Sequence, residues 1–124
     1  MPGKKILLVD DPCAVRLVNR MIFSQKSNYV LISAEDGVEA VERARDEKPD
    51  LILMEIVLPR MTGLEACRLL KMDQDTNKIP VIFLTARGEE QFVQEGYASG
   101  CNDYMTKPVN DIELLDLLKA YLGE

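Results

Sequence analysis

The chain has 124 residues, 47% of them hydrophobic and 29% charged, enough for one apolar core and too few for two. That balance excludes a disordered chain, and three cysteines without a histidine exclude a disulfide scaffold and the usual zinc sites. Acidic residues outnumber basic ones 21 to 15, which argues against nucleic-acid phosphates or an anionic membrane as main partners.

The opening segment through Lys5 leads into only four apolar residues, and no apolar run approaches the roughly 18 a membrane span needs. Neither a signal peptide nor a membrane anchor is expected, and the chain is read as cytoplasmic. Lys5-Ile6-Leu7-Leu8-Val9-Asp10 is a short apolar run ending in acid, the mark of a strand buried on both faces of a parallel sheet. After Asp11-Pro12 the period becomes helical, with Ala14, Leu17, Val18, Met21 and Ile22 on one face. Asp11 suits the N-cap and Pro12 the first turn. Tyr29 to Ser33 reads as a weaker edge strand, and Asp36-Gly37 as the turn into a second helix over about Gly37 to Glu47, with Ala40, Val41 and Ala44 inward.

Leu51-Ile52-Leu53-Met54 is the next strand, closed by Glu55, and a helix follows over about Leu64 to Met72. Val81-Ile82-Phe83-Leu84 ends at Thr85, and a fourth helix over about Glu89 to Ser99 is weakened by Gly96 and Gly100. Tyr104-Met105-Thr106 ends at Lys107, and the last helix starts near Asn110, carrying Leu114, Leu117, Leu118 and Tyr121. Five strands alternating with five helices predict one α/β domain over residues 1–124, its parallel sheet covered on both faces. Ligands of such sheets bind at the carboxyl ends of the strands.

Those ends carry Asp10, Asp11, Glu55, Thr85 and Lys107. Three carboxylates in one place repel each other and call for a divalent cation, and hard oxygen donors suit Mg²⁺. A cation, an ammonium and a hydroxyl together are equipped to stabilise a transferring phosphoryl group.

At these residues the chain resembles the receiver domains of the response-regulator family in two-component signalling. The matching pieces are Ile6-Leu7-Leu8-Val9-Asp10-Asp11, Ala34-Glu35-Asp36-Gly37, Pro49-Asp50-Leu51-Ile52-Leu53-Met54, Leu58-Pro59 with Thr62-Gly63, Ile79-Pro80-Val81-Ile82 through Thr85-Ala86, Gly100 with Asp103-Tyr104, and Lys107-Pro108. The resemblance implies a flavodoxin-like, doubly wound (βα)5 fold with strand order 2-1-3-4-5. It implies that Asp11, with Asp10 mostly through water, holds Mg²⁺ together with residue 55 and the backbone carbonyl of Val57. Thr85 would bind the phosphoryl oxygen, Lys107 would pair with the acceptor carboxylate, and Tyr104 would turn inward as Thr85 moves. The Lys107-Pro108 bond would be cis. The implied partners are a sensor histidine kinase or phosphotransfer protein and a downstream protein met by the face of the fourth helix, fifth strand and fifth helix.

The sequence departs from the family at the centre: Glu55 stands where members carry the phosphoacceptor Asp. Its extra methylene carries the carboxylate up to about 1.5 Å further out, an error that in-line attack does not forgive. Mg²⁺ binding is weakened or lost if Glu55 pairs with Lys107 instead. Three readings stand: a natural pseudo-receiver working without phosphorylation, an engineered imitation of the activated state, and a slow acceptor. In none of them is the chain an enzyme in the ordinary sense.

Two readings from other classes compete. A flavodoxin-like flavin carrier should have a Gly/Ser/Thr-rich phosphate loop where this chain has two acids, and a magnesium-dependent phosphohydrolase usually needs a cap domain. The three cysteines are read as reduced thiols in small apolar positions, and a redox role for Cys13 is not favoured, because the acidic pair beside it lowers a thiol's reactivity.

Overall fold

Apolar runs too short for helices and rich in Leu, Ile and Val become strands here, and the amphipathic stretches between them become the helices that cover the sheet. The computed structural model describes residues 3–24 and 28–123. Met1 and Pro2, part of the opening segment read above for a leader, lie outside the described residues. In chain order the elements are β1 (Lys5–Val9), α1 (Pro12–Ser24), β2 (Val30–Ala34), α2 (Gly37–Glu47), β3 (Leu51–Met54), α3 (Gly63–Met72), β4 (Val81–Thr85), α4 (Glu90–Ala98), β5 (Asp103–Thr106) and α5 (Asp111–Leu122).

The strands form one parallel sheet in the order β2-β1-β3-β4-β5, the doubly wound order expected. Registers such as Lys5↔Val30, Ile6↔Leu51, Ile52↔Val81 and Ile82↔Asp103 bring the carboxyl ends to one edge. Side chains alternate across the sheet. Leu7, Val9, Ile52, Met54, Val81 and Phe83 pack under α2 and α3, while Ile6, Leu8, Leu51, Leu53, Ile82 and Leu84 pack under α1 and α5. Each of these side chains is at most 1% exposed, which is why the central strands read as unbroken apolar runs.

Helix ends follow local chemistry. Asp36 caps α2 by accepting the Glu39 N–H, Thr62 caps α3, and Asn110 caps α5 through the Ile112 and Glu113 N–H groups. Helix α4 differs: Glu89 makes no side-chain cap bond, and Gly96 is its one buried residue. At the sheet edge, the Arg43 guanidinium donates to the Ser33 carbonyl of β2 at 2.8 Å, filling an acceptor an edge strand would otherwise expose.

The structure corrects the sequence reading at several points. β2 begins at Val30 rather than Tyr29, because the Val30 N–H opens the pairing by donating to Lys4 at 2.8 Å. β5 begins one residue earlier, at Asp103, which pairs with Ile82. Leu17, placed inward by its spacing, is 53% exposed and lines a groove of about 670 Å³ between α1 and the turn after β5. The inward stripe of α5 is Leu114, Leu115, Leu118 and Leu122, with Leu117 and Tyr121 half-buried at its margin.

Candidate functional site

Asp10 follows β1 with only 4% of its surface exposed. Its Oδ1 accepts the Asp11 N–H at 2.8 Å and its Oδ2 accepts from Lys107 Nζ at 2.7 Å. Asp11 is exposed and turns one oxygen onto the Ala14 N–H at 2.8 Å, so it caps α1 as its place before Pro12 predicts.

Glu55 leaves β3 with its main-chain N–H bonded to the Val9 carbonyl at 2.9 Å, which fixes its Cα beside the acidic pair. Its side chain folds back on its own chain. Oε2 accepts the Ile56 N–H at 2.6 Å and the Val57 N–H at 3.3 Å, and Oε1 accepts from Lys107 at 3.2 Å. Two successive backbone N–H groups make a small anion-binding concavity, and the longer glutamate side chain reaches it. The Val57 side chain beyond is 61% exposed.

Lys107 comes from the turn after β5, where its N–H donates to the Thr85 carbonyl at 2.8 Å and its bond to Pro108 is cis. Spacing places the ammonium opposite Glu55, but its shorter contact is with Asp10, 2.7 Å against 3.2 Å. Burial lowers the pKa of this ammonium, yet the Asp10 hydrogen bond and charge, reinforced by Glu55, outweigh burial and hold it above the ordinary lysine value.

Thr85 is buried at the end of β4, and its Oγ1 accepts the Arg87 N–H at 3.3 Å. Tyr104 packs its ring on Phe83 with centroids 6.0 Å apart, and its hydroxyl donates to the Arg87 carbonyl. Burial, with the Glu55 charge second, raises the Tyr104 pKa. Gly96 makes this placement possible, since a Cβ there would lie 2.9 Å from Tyr104 Cδ2.

The sheet therefore gathers Asp10, Glu55 and Lys107 into one charged cluster, with Thr85 and Tyr104 linked to each other through Arg87. The three carboxylates do not converge on a common point. Among the described residues no three His, Cys, Asp or Glu side chains are grouped to hold a metal ion, because Lys107 stands between Asp10 and Glu55 while Asp11 caps α1. The donor set remains all oxygen, which is the chemistry magnesium requires. Sequence reasoning missed the Ile56 and Val57 N–H groups, the Arg87 carbonyl and the role of Gly96, of which only a glycine inside a helix left a readable signal.

The family model described as response regulator receiver domain matches residues 6–119. The chain belongs to this family, and the receiver is a signalling module of two-component response regulators. It is similar to the polar-differentiation response regulator DivK of Brucella anthropi, 36% identical over 100% of this chain and 99% of DivK. It is also 40% identical to the protein PilH of Pseudomonas aeruginosa, over 96% of this chain and 98% of PilH. A crystal structure of the receiver domain of a Pseudomonas aeruginosa sensor histidine kinase, with a magnesium ion coordinated in its active-site cleft, superposes with a TM-score of 0.88 at 32% identity, covering 98% of this chain and 99% of that one. The flavin-carrier and phosphohydrolase readings are not favoured. Among the described residues no helix is long and apolar enough to cross a membrane.

Proposed function

We propose that this receiver, a single domain over residues 1–124, switches protein contacts in the cytoplasm with Glu55 as a built-in anion in place of a phosphorylated aspartate. One observation carries the reading. Both Glu55 oxygens are engaged inside the site, Oε1 by Lys107 and Oε2 by the Ile56 and Val57 N–H groups, so each would have to share or give up a hydrogen bond to meet an incoming phosphorus. The carboxylate supplies one charge where a phosphoryl group brings nearly two, and the switch is therefore biased toward the active state in part.

Asp10, Asp11 and the Val57 carbonyl would hold Mg²⁺ weakly, with Glu55 withdrawn onto its own backbone. Bound there, the ion would supply positive charge to offset the acids. Thr85 and Tyr104 would relay the state of the site to the face formed by α4, β5 and α5, where a downstream protein would dock. A sensor histidine kinase or phosphotransfer protein is the upstream partner, and the chain turns over no substrate and binds no nucleic acid.

Intact mass after incubation with Mg²⁺ and a small-molecule phosphodonor tests the reading. Folded wild-type protein should gain no phosphoryl adduct, whereas Glu55→Asp should gain a base-labile one. A stoichiometric adduct at residue 55 of the wild type would overturn it.

A further inference from the structure

The segment that seats the Glu55 carboxylate, residues 55–62, connects β3 to α3. Its far end reaches across to the start of α2. Arg60 Nε donates to Asp36 Oδ2 at 3.0 Å and Nη2 donates to Oδ1 at 3.2 Å, a two-pronged geometry that fixes direction as well as distance. The same Asp36 carboxylate accepts the Glu39 N–H at 2.8 Å and caps α2. That cap bond first, then Arg60, hold the Asp36 pKa below its ordinary value.

Arg60 adopts this position at φ 66°, a left-handed conformation that disfavours a side chain and would suit glycine. The next residue presses closely on the same helix end: a Cβ on Gly37 would lie 2.1 Å from the Met61 carbonyl oxygen. A glycine would satisfy the backbone at position 60 and forfeit the guanidinium, so the side chain rather than the turn explains arginine there.

We infer that Asp36 and Arg60 form a clamp that positions the Glu55–Val57 turn, and with it the two N–H groups that hold the Glu55 carboxylate. Both are positioning residues that act through the loop. The consequence for cation affinity rests on the reading above that the Val57 carbonyl is a ligand; the effect on the amides does not.

Two variants break the clamp while leaving the fold in place, and only Asp36→Asn does so without changing the loop's own backbone. Arg60→Gly deletes the guanidinium and relaxes the backbone, so the fold should be retained. Asp36→Asn keeps a competent N-cap while removing the charge. Amide hydrogen exchange in metal-free protein is the readout, with Arg60→Lys as the conservative control. The Ile56 and Val57 amides should exchange about fivefold faster in both variants, with the first turn of α2 unchanged in Asp36→Asn and partial rescue in Arg60→Lys. Unchanged exchange at Ile56 and Val57 in both variants would overturn the clamp. A Mg²⁺ titration followed by NMR shifts separates the two readings. If wild type binds Mg²⁺, Arg60→Gly should bind it several-fold more weakly, and equal affinity would also overturn the clamp's effect on the cation. If wild type binds none, the ligand role of Val57 falls, and the clamp is decided by exchange alone.

Discussion

The Lys107 ammonium meets Asp10 across 97 residues of chain, at 2.7 Å, and this contact joins the first strand to the turn after the last. The Asp10 side chain is 6% exposed and that of Lys107 is 29% exposed. Removing the cation would leave a buried carboxylate with a single backbone N–H and a neighbouring negative Glu55. Lys107→Met should therefore destabilise the fold by ~2 kcal/mol, reduced from the fully buried case by solvent near the ammonium. Adding Asp10→Asn should recover part of the loss, as urea unfolding in the presence of a chelator would measure.

Alkaline pH should unfold the protein for a reason separate from the site. Burial first, then the Cys67 and Asp103 charges, push the Cys101 thiol from its ordinary 9.0 up to about 12. Between these values the unfolded chain has released the proton and the native chain still holds it, so stability falls as pH rises, by at most ~1.4 kcal/mol per pH unit for this group. Tyr121, raised by burial and its bond to Asp103 to about 12, acts in the same direction. Lys71, pushed down by burial, opposes them. Urea midpoints measured across pH 9 to 12 should decline, and Cys101→Ala should flatten the decline.

Thiol chemistry should separate the three cysteines. Cys13 is exposed while Cys67 and Cys101 are buried, and burial raises the pKa of both inner thiols. One thiol should react promptly with a disulfide reagent in native protein and the other two only on unfolding. Cys13→Ser should abolish the prompt phase.

Gly96→Ala ought to raise the intrinsic helix propensity of α4 by ~1 kcal/mol. Here the sign should reverse. The new methyl would stand 2.9 Å from Tyr104 Cδ2 and 3.4 Å from Phe83 Cδ2, and both rings are packed against each other. Net destabilisation of about 1–2 kcal/mol is expected, with displaced Tyr104 ring resonances reporting loss of its bond to Arg87.

How far the sequence could be read depended on the kind of physics involved. Leu51-Ile52-Leu53-Met54 announces a central strand because burial on both faces forces apolarity at every position, and Asp10, Glu55, Thr85 and Lys107 are placed once their strands are placed. Periodicity assigns a face but not a rotamer. The return of Glu55 to its own N–H groups, the preference of Lys107 for Asp10 and the exposure of Leu17 are settled by neighbours distant in the chain. Gly96 was legible only as a weakness in a helix, because its use becomes visible when Tyr104 lies across it. Arg60 carries no local signal, since its partner Asp36 lies 24 residues away.

The lightly held α4 has a mechanical consequence. α2, α3 and α5 each bury four residues and begin on a side-chain cap, whereas α4 buries Gly96 alone and begins without one. Undocking it exposes little apolar surface and breaks few bonds, so of these four helices α4 takes the least free energy to release as a subglobal opening. The fold thus keeps a low free-energy excursion beside Tyr104, on the far side of the sheet from α1 and α5, where a small change in local contacts alters populations.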